Sequence, residues 1–573
     1  MKRTGGSIVV RALEDEGITV TFGIPGTHNI ELYDALAESQ VVRPVLVTDE
    51  QSASFMADGY WRASGRLACV NVVPGAGLTH ALSGIAEAFM DNIPLLVLAC
   101  GIRQDIPQAY QLHAIDQLAL ARPVTKAAFR VERGTDLYPE IRRACALARA
   151  GTPGPVMVEI PVDLYLQRHE VEHDAWRAPA RPAAPNGAEA LPAVAALLND
   201  PSARPLLYFG LGAARAGADL VTLAERLEAP VATTFQGKGV FPESHPLFLW
   251  NGFGNAAPPF ARSVARGRGV TLAVGCRFSE VGTGSYGLEP PGPLIHVDID
   301  SQVLGRNYPA VQAVTADAAA FINGLLPLVR QRPSDASLRQ AIAAGHQAVW
   351  KDWRSQRSER VTPPRLLRAL QDELGPETIF TTDSGNGTFL AMECLRLERP
   401  GEFLAPVDYS CMGYAVPAAI GAKLARPDCP VVALVGDGAL LMTGLELLTA
   451  VQQRLGVQVF VLRDRELAQI SQFQATALGR KTASELADYD AGGIATALGV
   501  EGLTLGRDDE TATVLRRARE IAAAGRPVLI DVAIDYSRRT YFTAGVVRTN
   551  LLRLPWGDRL RFVGRALARR MLG

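Results

Sequence analysis

VVALVGDGALLMTGLELLTAVQQRLGVQVFVLRDRELAQISQFQ, Val431 to Gln474, holds two short apolar runs separated by a helical repeat. Val431 to Val435 is nearly continuous in apolar residues and stops at Gly436-Asp437-Gly438, the pattern of a buried parallel strand ending in a tight turn. Leu441, Leu445, Leu448, Val451 and Leu455 recur at helical spacing, and Gly456 ends that helix. Val457 to Leu462 then forms a second strand that stops at Arg463-Asp464-Arg465-Glu466. The unit is βαβ, and its right-handed crossover makes the strands parallel. Asp437 and Asp464 therefore come together at the carboxyl edge, where open α/β sheets take their ligands. Two carboxylates beside a glycine turn and a helix N-terminus suit a small hard cation bridged to a diphosphate, with oxygen ligands for Mg²⁺ and amide N–H groups for phosphate. Asp437 and Asp464 are the candidate metal ligands.

The 573 residues suffice for three domains of ordinary size. A formal net charge of −1 marks no nucleic acid or strongly acidic partner. The 7 cysteines are scattered without a CxxC or CxxH spacing and mostly fall in apolar runs, which predicts small core residues in a reducing compartment. The opening MKRTGGSIVVRALEDEG becomes acidic too early for a signal peptide, and no apolar run reaches the ~18 residues of a membrane span, so a cytoplasmic protein is expected.

Outward from Val431 the same alternation repeats. Residues 1–165 alternate apolar strands (Val20 to Gly23, Val45 to Val47, Ala68 to Val73, Leu95 to Ala99, Val156 to Ile160) with amphipathic helices. Leu164 to Ala190, with Pro179, Pro182 and Pro185, reads as a linker. A second α/β unit spans 191–330, with strands near Pro205 to Tyr208, Val270 to Val274 and Leu294 to Val297. The charged helical stretch Asp335 to Arg360 leads into a third α/β unit, 363–545, and 546–573 is a basic tail. The fold class is α/β, with three doubly wound parallel-sheet domains, the first and third looking like one architecture used twice.

Several further segments carry a resemblance: FGIPGTHNIELYDAL, TDEQSASFMADGYWRASGR, VPGAGLTHALSGIAEAFMDNIP, RPVTKAAFRV and SCMGYAVPAAIGAKLA. With the Gly-Asp-Gly segment they resemble, in order and over nearly the whole chain, the thiamine diphosphate (ThDP)-dependent 2-oxo acid decarboxylases and carboligases, the group of acetolactate synthase and benzaldehyde lyase. The resemblance makes the first domain the pyrimidine-binding one and the third the diphosphate-binding one, with ThDP and Mg²⁺ as cofactors. It gives Glu50, just beyond a strand at a helix start, the role of driving the cofactor's aminopyrimidine to its imino form, so that the cofactor itself performs the carbanion chemistry. It sets Met412 beneath the cofactor, and makes Asn386 and Thr388, with the backbone at Gly436, Gly438 and Ala439, the diphosphate donors. Where the family has an Asn-Asn pair this chain reads Arg463-Asp464, with Asp464 as ligand and Glu466 lending a backbone carbonyl. His28 aligns with a histidine that benzaldehyde lyase places beside the reacting carbon, and His80, His113 and, less strongly, Gln111 fall on neighbouring pocket segments.

Departures narrow the reading. Acetolactate synthases have RFDDRVTG where Arg277 to Gly284 reads RFSEVGTG, so Val281 replaces the arginine that grips an acceptor carboxylate. Their FQEVD becomes Leu112 to Asp116, LHAID, nearer benzaldehyde lyase and oxalyl-CoA decarboxylase. The expected function is C–C bond making or breaking beside a carbonyl, on a 2-oxo acid, aldehyde or diketone; a true acetolactate synthase large subunit is the alternative, and a catalytically inactive ThDP-binding regulatory protein the alternative of another class. Val297 to Asp300 ends a strand as in the FAD-binding members, but several relatives keep this domain without flavin, which leaves FAD undecided. The resemblance also implies a homodimer or homotetramer with active sites at the subunit interface. In the tail, Leu560, Val563, Leu567 and Met571 share one face of a basic amphipathic helix that suits a partner subunit, an active-site cover or an anionic membrane surface.

Overall fold

The structure is a computed structural model and describes residues 2–170 and 184–572, without the side chains of Val563 and 566–573. Three six-stranded sheets, each entirely parallel, carry the chain. Numbered by appearance within each sheet, the strands of the first and third both run 2-1-3-4-6-5, whereas those of the central one run 3-2-1-4-5-6. The repeated architecture is thus a repeated topology. In the outer two sheets the order reverses between strands 1 and 3, so the loops leaving those strands open a crevice at the carboxyl edge.

The unbroken apolar runs have a direct cause in the two faces of the third sheet. Val431, Ala433 and Val435 point into a core shared with the N-terminal domain, while Val432 and Leu434 point into a second core shared with the central domain. A strand buried on both faces has no polar side to display. The join to the N-terminal domain is closest where helix Glu50–Ser64 crosses helix Ala415–Ala425: a Cβ added at Gly59 would lie 2.3 Å from the Ala418 carbonyl oxygen, and one at Gly421 2.0 Å from that of Met56. Only glycine permits that approach.

Three expectations need correction. The segment after Gly436 is not one helix with a buried leucine face: Asp437–Thr443 and Leu447–Gln452 are separate helices joined by a 3₁₀ turn, and they bury Leu440, Leu447 and Ala450 while Leu441, Leu445 and Leu448 stand exposed. The linker begins later than Leu164, because Val162–Leu166 is helical and Arg168–Glu170 pairs antiparallel with Lys2–Thr4; Pro179 and Pro182 lie outside the described residues. The tail contains two helices, Tyr541–Arg553 and Trp556–Leu572. The first packs on the central domain, with Asn255 Nδ2 donating to Thr549 Oγ1 at 3.1 Å. On the second, Leu560 is exposed, and the side chains of Val563, Leu567 and Met571 lie outside the described residues. Among the described residues no helix is long and apolar enough to cross a membrane.

Candidate active site

Strands Val431–Gly436 and Val457–Arg463 pair in parallel with Gly436 opposite Leu462, so the residues that follow each strand leave the sheet side by side. Asp437 is buried, and its Oδ2 accepts the Arg465 N–H at 2.7 Å while Oδ1 accepts the Gly438 N–H at 2.8 Å. Burial, and then the Asp437 charge, push the Asp464 carboxyl up to about 7. Arg463 and Arg465 do not relieve it, since their guanidinium groups pair with Asp531 and Asp488. Two crowded carboxylates whose neighbouring cations are committed elsewhere form a donor set that fits Mg²⁺. The Glu466 side chain turns away to Lys481 and Ser471, and its N–H donates to Asp464 Oδ1 at 3.3 Å.

The other side of the crevice is the loop after strand Ile379–Thr382. Asn386, half-buried, is the first residue of helix Asn386–Cys394, whose N-terminus has no side-chain cap and follows this loop, the end of a helix that suits a phosphate, although the Thr388 N–H is given to the Gly385 carbonyl at 3.2 Å. The Thr388 hydroxyl is already given to Thr382 Oγ1 at 2.7 Å and to the Asp383 carbonyl, so its side chain ties the turn together. Met412 lies half-buried between the two loops, its methyl group 3.8 Å from where a Cβ on Gly438 would sit.

In the N-terminal domain the corresponding crevice holds Glu50 and the histidines. Glu50 opens helix Glu50–Ser64 at 8 % exposure, and its Oε2 is 3.4 Å from His80 Nδ1. His28 leaves the loop after the first strand of that sheet, and His113 packs edge-on against it with ring centroids 5.4 Å apart. Gly75 and Gly77 connect the two pairs, for His113 borders Gly75 and Glu50 Oε1 borders Gly77. Burial, with His113 second, holds His28 below the ordinary imidazole value, so it is neutral at neutral pH. Gln111 is not brought to this group; its amide donates to the Arg103 and Gln108 carbonyls inside its own loop.

Buried residues that sequence reasoning passed over hold these parts in place. Glu446 accepts the Thr48 N–H at 2.9 Å, the Thr48 hydroxyl at 2.6 Å and the Asp49 N–H at 3.0 Å, fixing the approach to Glu50 from the C-terminal domain. Gln117 bridges Gly75 N–H and the Cys100 carbonyl. Asp383 binds the N–H groups of Gly413 and Tyr414. The sequence signal for Glu446 and Gln117 was an acid or amide inside an apolar run, whereas Asp383 follows a strand in a polar turn. In the central domain Tyr208, Phe253, Phe278 and Tyr308 pack together near the end of strand Val270–Val274, and Arg277 is held by Asp408 and the Met90 carbonyl.

Comparison with known proteins places this geometry. Residues 3–120 match the N-terminal TPP binding domain of thiamine pyrophosphate enzymes, 191–325 their central domain and 383–532 their C-terminal TPP binding domain. A probable acetolactate synthase large subunit of Methanocaldococcus jannaschii is 31 % identical over 551 residues, covering 93 % of this chain and 92 % of its own. The acetolactate synthase isozyme 3 large subunit of Escherichia coli is 30 % identical over 558 residues, 94 % and 96 % of the two chains. These matches, over three successive domains and more than nine tenths of the chain, lead to one conclusion: the chain belongs to the thiamine pyrophosphate enzymes, among the acetolactate synthase-like decarboxylases and carboligases, and depends on ThDP.

Proposed function

We propose that this ThDP enzyme requires Mg²⁺ and makes or breaks a C–C bond beside a carbonyl in substrates that need not carry an acceptor carboxylate, in contrast to acetolactate synthase proper. The observation that carries the reading is the pairing of His28 and His113 beside the Glu50–His80 contact, a group of imidazoles around one carboxylate. The loop that carries the acceptor arginine in acetolactate synthases has Val281 here, and its one arginine, Arg277, is paired with Asp408.

ThDP, when bound, supplies the carbanion-forming carbon and the electron sink. Asp437 and Asp464, with the Glu466 carbonyl, would hold the metal, and the amides of Ala439 and Asn386 the diphosphate, the Gly438 N–H being given to Asp437. Glu50, nearly excluded from water, would exchange a proton with the aminopyrimidine of the bound cofactor. Neutral His28 accepts a proton from a substrate hydroxyl and returns it on release, with His113 as its neighbour in that exchange. No step is assigned to a flavin. A panel of 2-oxo acids, acyloins and diketones, offered with ThDP and Mg²⁺ and with products identified, tests the reading. Turnover of pyruvate to acetolactate in preference to every other combination would overturn it.

Assembly belongs to the same proposal: a homodimer, or a tetramer of two dimers, in the cytoplasm, where the free thiols of all seven cysteines would persist. Leu441, Met442, Leu445 and Leu448 are each about half exposed or more on consecutive turns directly after the metal loop, an apolar face that suits a second copy. Leu445→Asp removes an apolar side chain worth ~1.5–3 kcal/mol from each side of a two-fold contact. Sedimentation should show dimer affinity weakened by roughly 10²- to 10⁴-fold, with activity falling in step. An unchanged dimer would remove this face from the interface.

A further inference from the structure

The backbone that presents Met412 is gripped from two domains. From its own domain Asp383 takes the Gly413 N–H at 2.6 Å. From the N-terminal domain Glu87, fully buried on helix Ala76–Met90, takes the Cys411 N–H on Oε2 at 2.9 Å, and the Cys411 thiol donates to the Ser83 carbonyl at 3.4 Å. Immediately before the grips Ser410 holds φ 64°, a left-handed conformation that a serine keeps only when its surroundings impose it. Glu87 Oε1 is buried with no hydrogen-bond partner among the described residues. The groups facing Glu87 are Asp91 on its own helix, Asp58 and Arg62 from helix Glu50–Ser64, and Cys411 and Tyr414 from the C-terminal domain. Arg62 is already shared by Asp58 at 2.6 Å and Asp91 at 2.7 Å.

We propose that Glu87 is a positioning residue for the reaction, fixing across the domain boundary the Ser410–Gly413 turn that presents Met412 to the cofactor. The proposal rests on the reading of Met412 as the residue beneath ThDP. Burial, and then Asp91, raise the Glu87 carboxyl from 4.5 to about 9, so the neutral acid makes this contact at neutral pH. Above that range the carboxylate still accepts from Cys411, but its charge is then buried beside Asp91, and relief of that repulsion displaces the end of helix Ala76–Met90 and with it the turn.

The test uses the full-length protein with ThDP and Mg²⁺ and needs no substrate. Calorimetry reads ThDP binding, and NMR reads hydrogen–deuterium exchange at C2 of the bound cofactor between pH 7 and 10. Wild-type exchange should decline as pH rises through about 9 relative to Glu87→Gln, which stays neutral and keeps an acceptor for Cys411. Glu87→Leu should bind ThDP within about threefold of wild type yet exchange at least about tenfold more slowly at pH 7.5. Loss of fold does not explain that result. The raised value means that the stability lent by the protonated acid is complete below pH 4.5 and is lost as pH rises to about 9, so the neutral Glu87→Gln should melt above wild type at pH 8, with the gain closing below 4.5. Wild-type exchange in Glu87→Leu, or an unaltered alkaline decline in Glu87→Gln, overturns the role of Glu87 alone. A wild-type protein that neither binds ThDP nor exchanges its C2 proton overturns the site reading and this proposal together.

Discussion

Glu50→Gln should bind ThDP and Mg²⁺ as wild type does and turn over ~10²- to 10⁴-fold more slowly, the range of a lost acid–base group. The separation follows from where the parts sit. Glu50 opens a helix of the N-terminal domain, whereas the proposed metal and diphosphate ligands follow strands of the C-terminal sheet. Glutamine keeps the shape and a polar contact to His80 but cannot exchange the carboxyl proton. C2 proton exchange on the bound cofactor should slow by the same factor as turnover, which ties the loss to cofactor activation rather than to substrate capture. Equal rates in variant and wild type would remove Glu50 from the mechanism.

Asp464 gives the second large effect, in two substitutions of opposite consequence. Asp464→Ala removes a proposed metal ligand and should weaken Mg²⁺-dependent ThDP binding by more than ~100-fold, since even partners outside the metal's own ligands are worth roughly 10- to 100-fold. Asp464→Asn keeps an oxygen and relieves the repulsion from Asp437 that helps push the aspartate up to about 7. A neutral amide binds a hard cation less strongly, so the two effects oppose each other and a change of about 1 kcal/mol, or a few-fold in affinity, is expected. Calorimetric titration of both variants checks this: tight binding by the alanine variant would show that Asp464 is no ligand.

The βαβ unit could be read from Val431 to Gln474 because a strand buried on both faces writes a continuous apolar run and Gly-Asp-Gly marks its end. The same rule left short edge strands unread. Ala127–Arg130 lies at the rim of its sheet, half-buried throughout, and its three apolar residues between Lys126 and Arg130 are too short a run to mark a strand. Periodicity also misjudged Leu441, Leu445 and Leu448, since it reports that a helix face is apolar without reporting what covers it. Glu50 and Met412 acquired roles only through resemblance; a helix-start glutamate and a methionine after a cysteine carry no chemistry by spacing. Glu87 and Glu446 stand in apolar stretches and went unread, because their partners lie 324 and 398 residues away along the chain, beyond the reach of any local pattern.

The glycine contact between helices Glu50–Ser64 and Ala415–Ala425 also governs how this enzyme can be recombined with its relatives. Two backbones touching at Gly59 and Gly421 leave no side chain that could adapt to a new partner. An N-terminal domain taken from a homologue will seat on this C-terminal domain only if it brings a residue without a Cβ at the position of Gly59 and meets one at that of Gly421. Chimeras cut in the loops but mismatched at those two positions should separate or misfold however well their catalytic residues agree, and pocket grafts will succeed most often when residues 50–64 and 415–425 travel together.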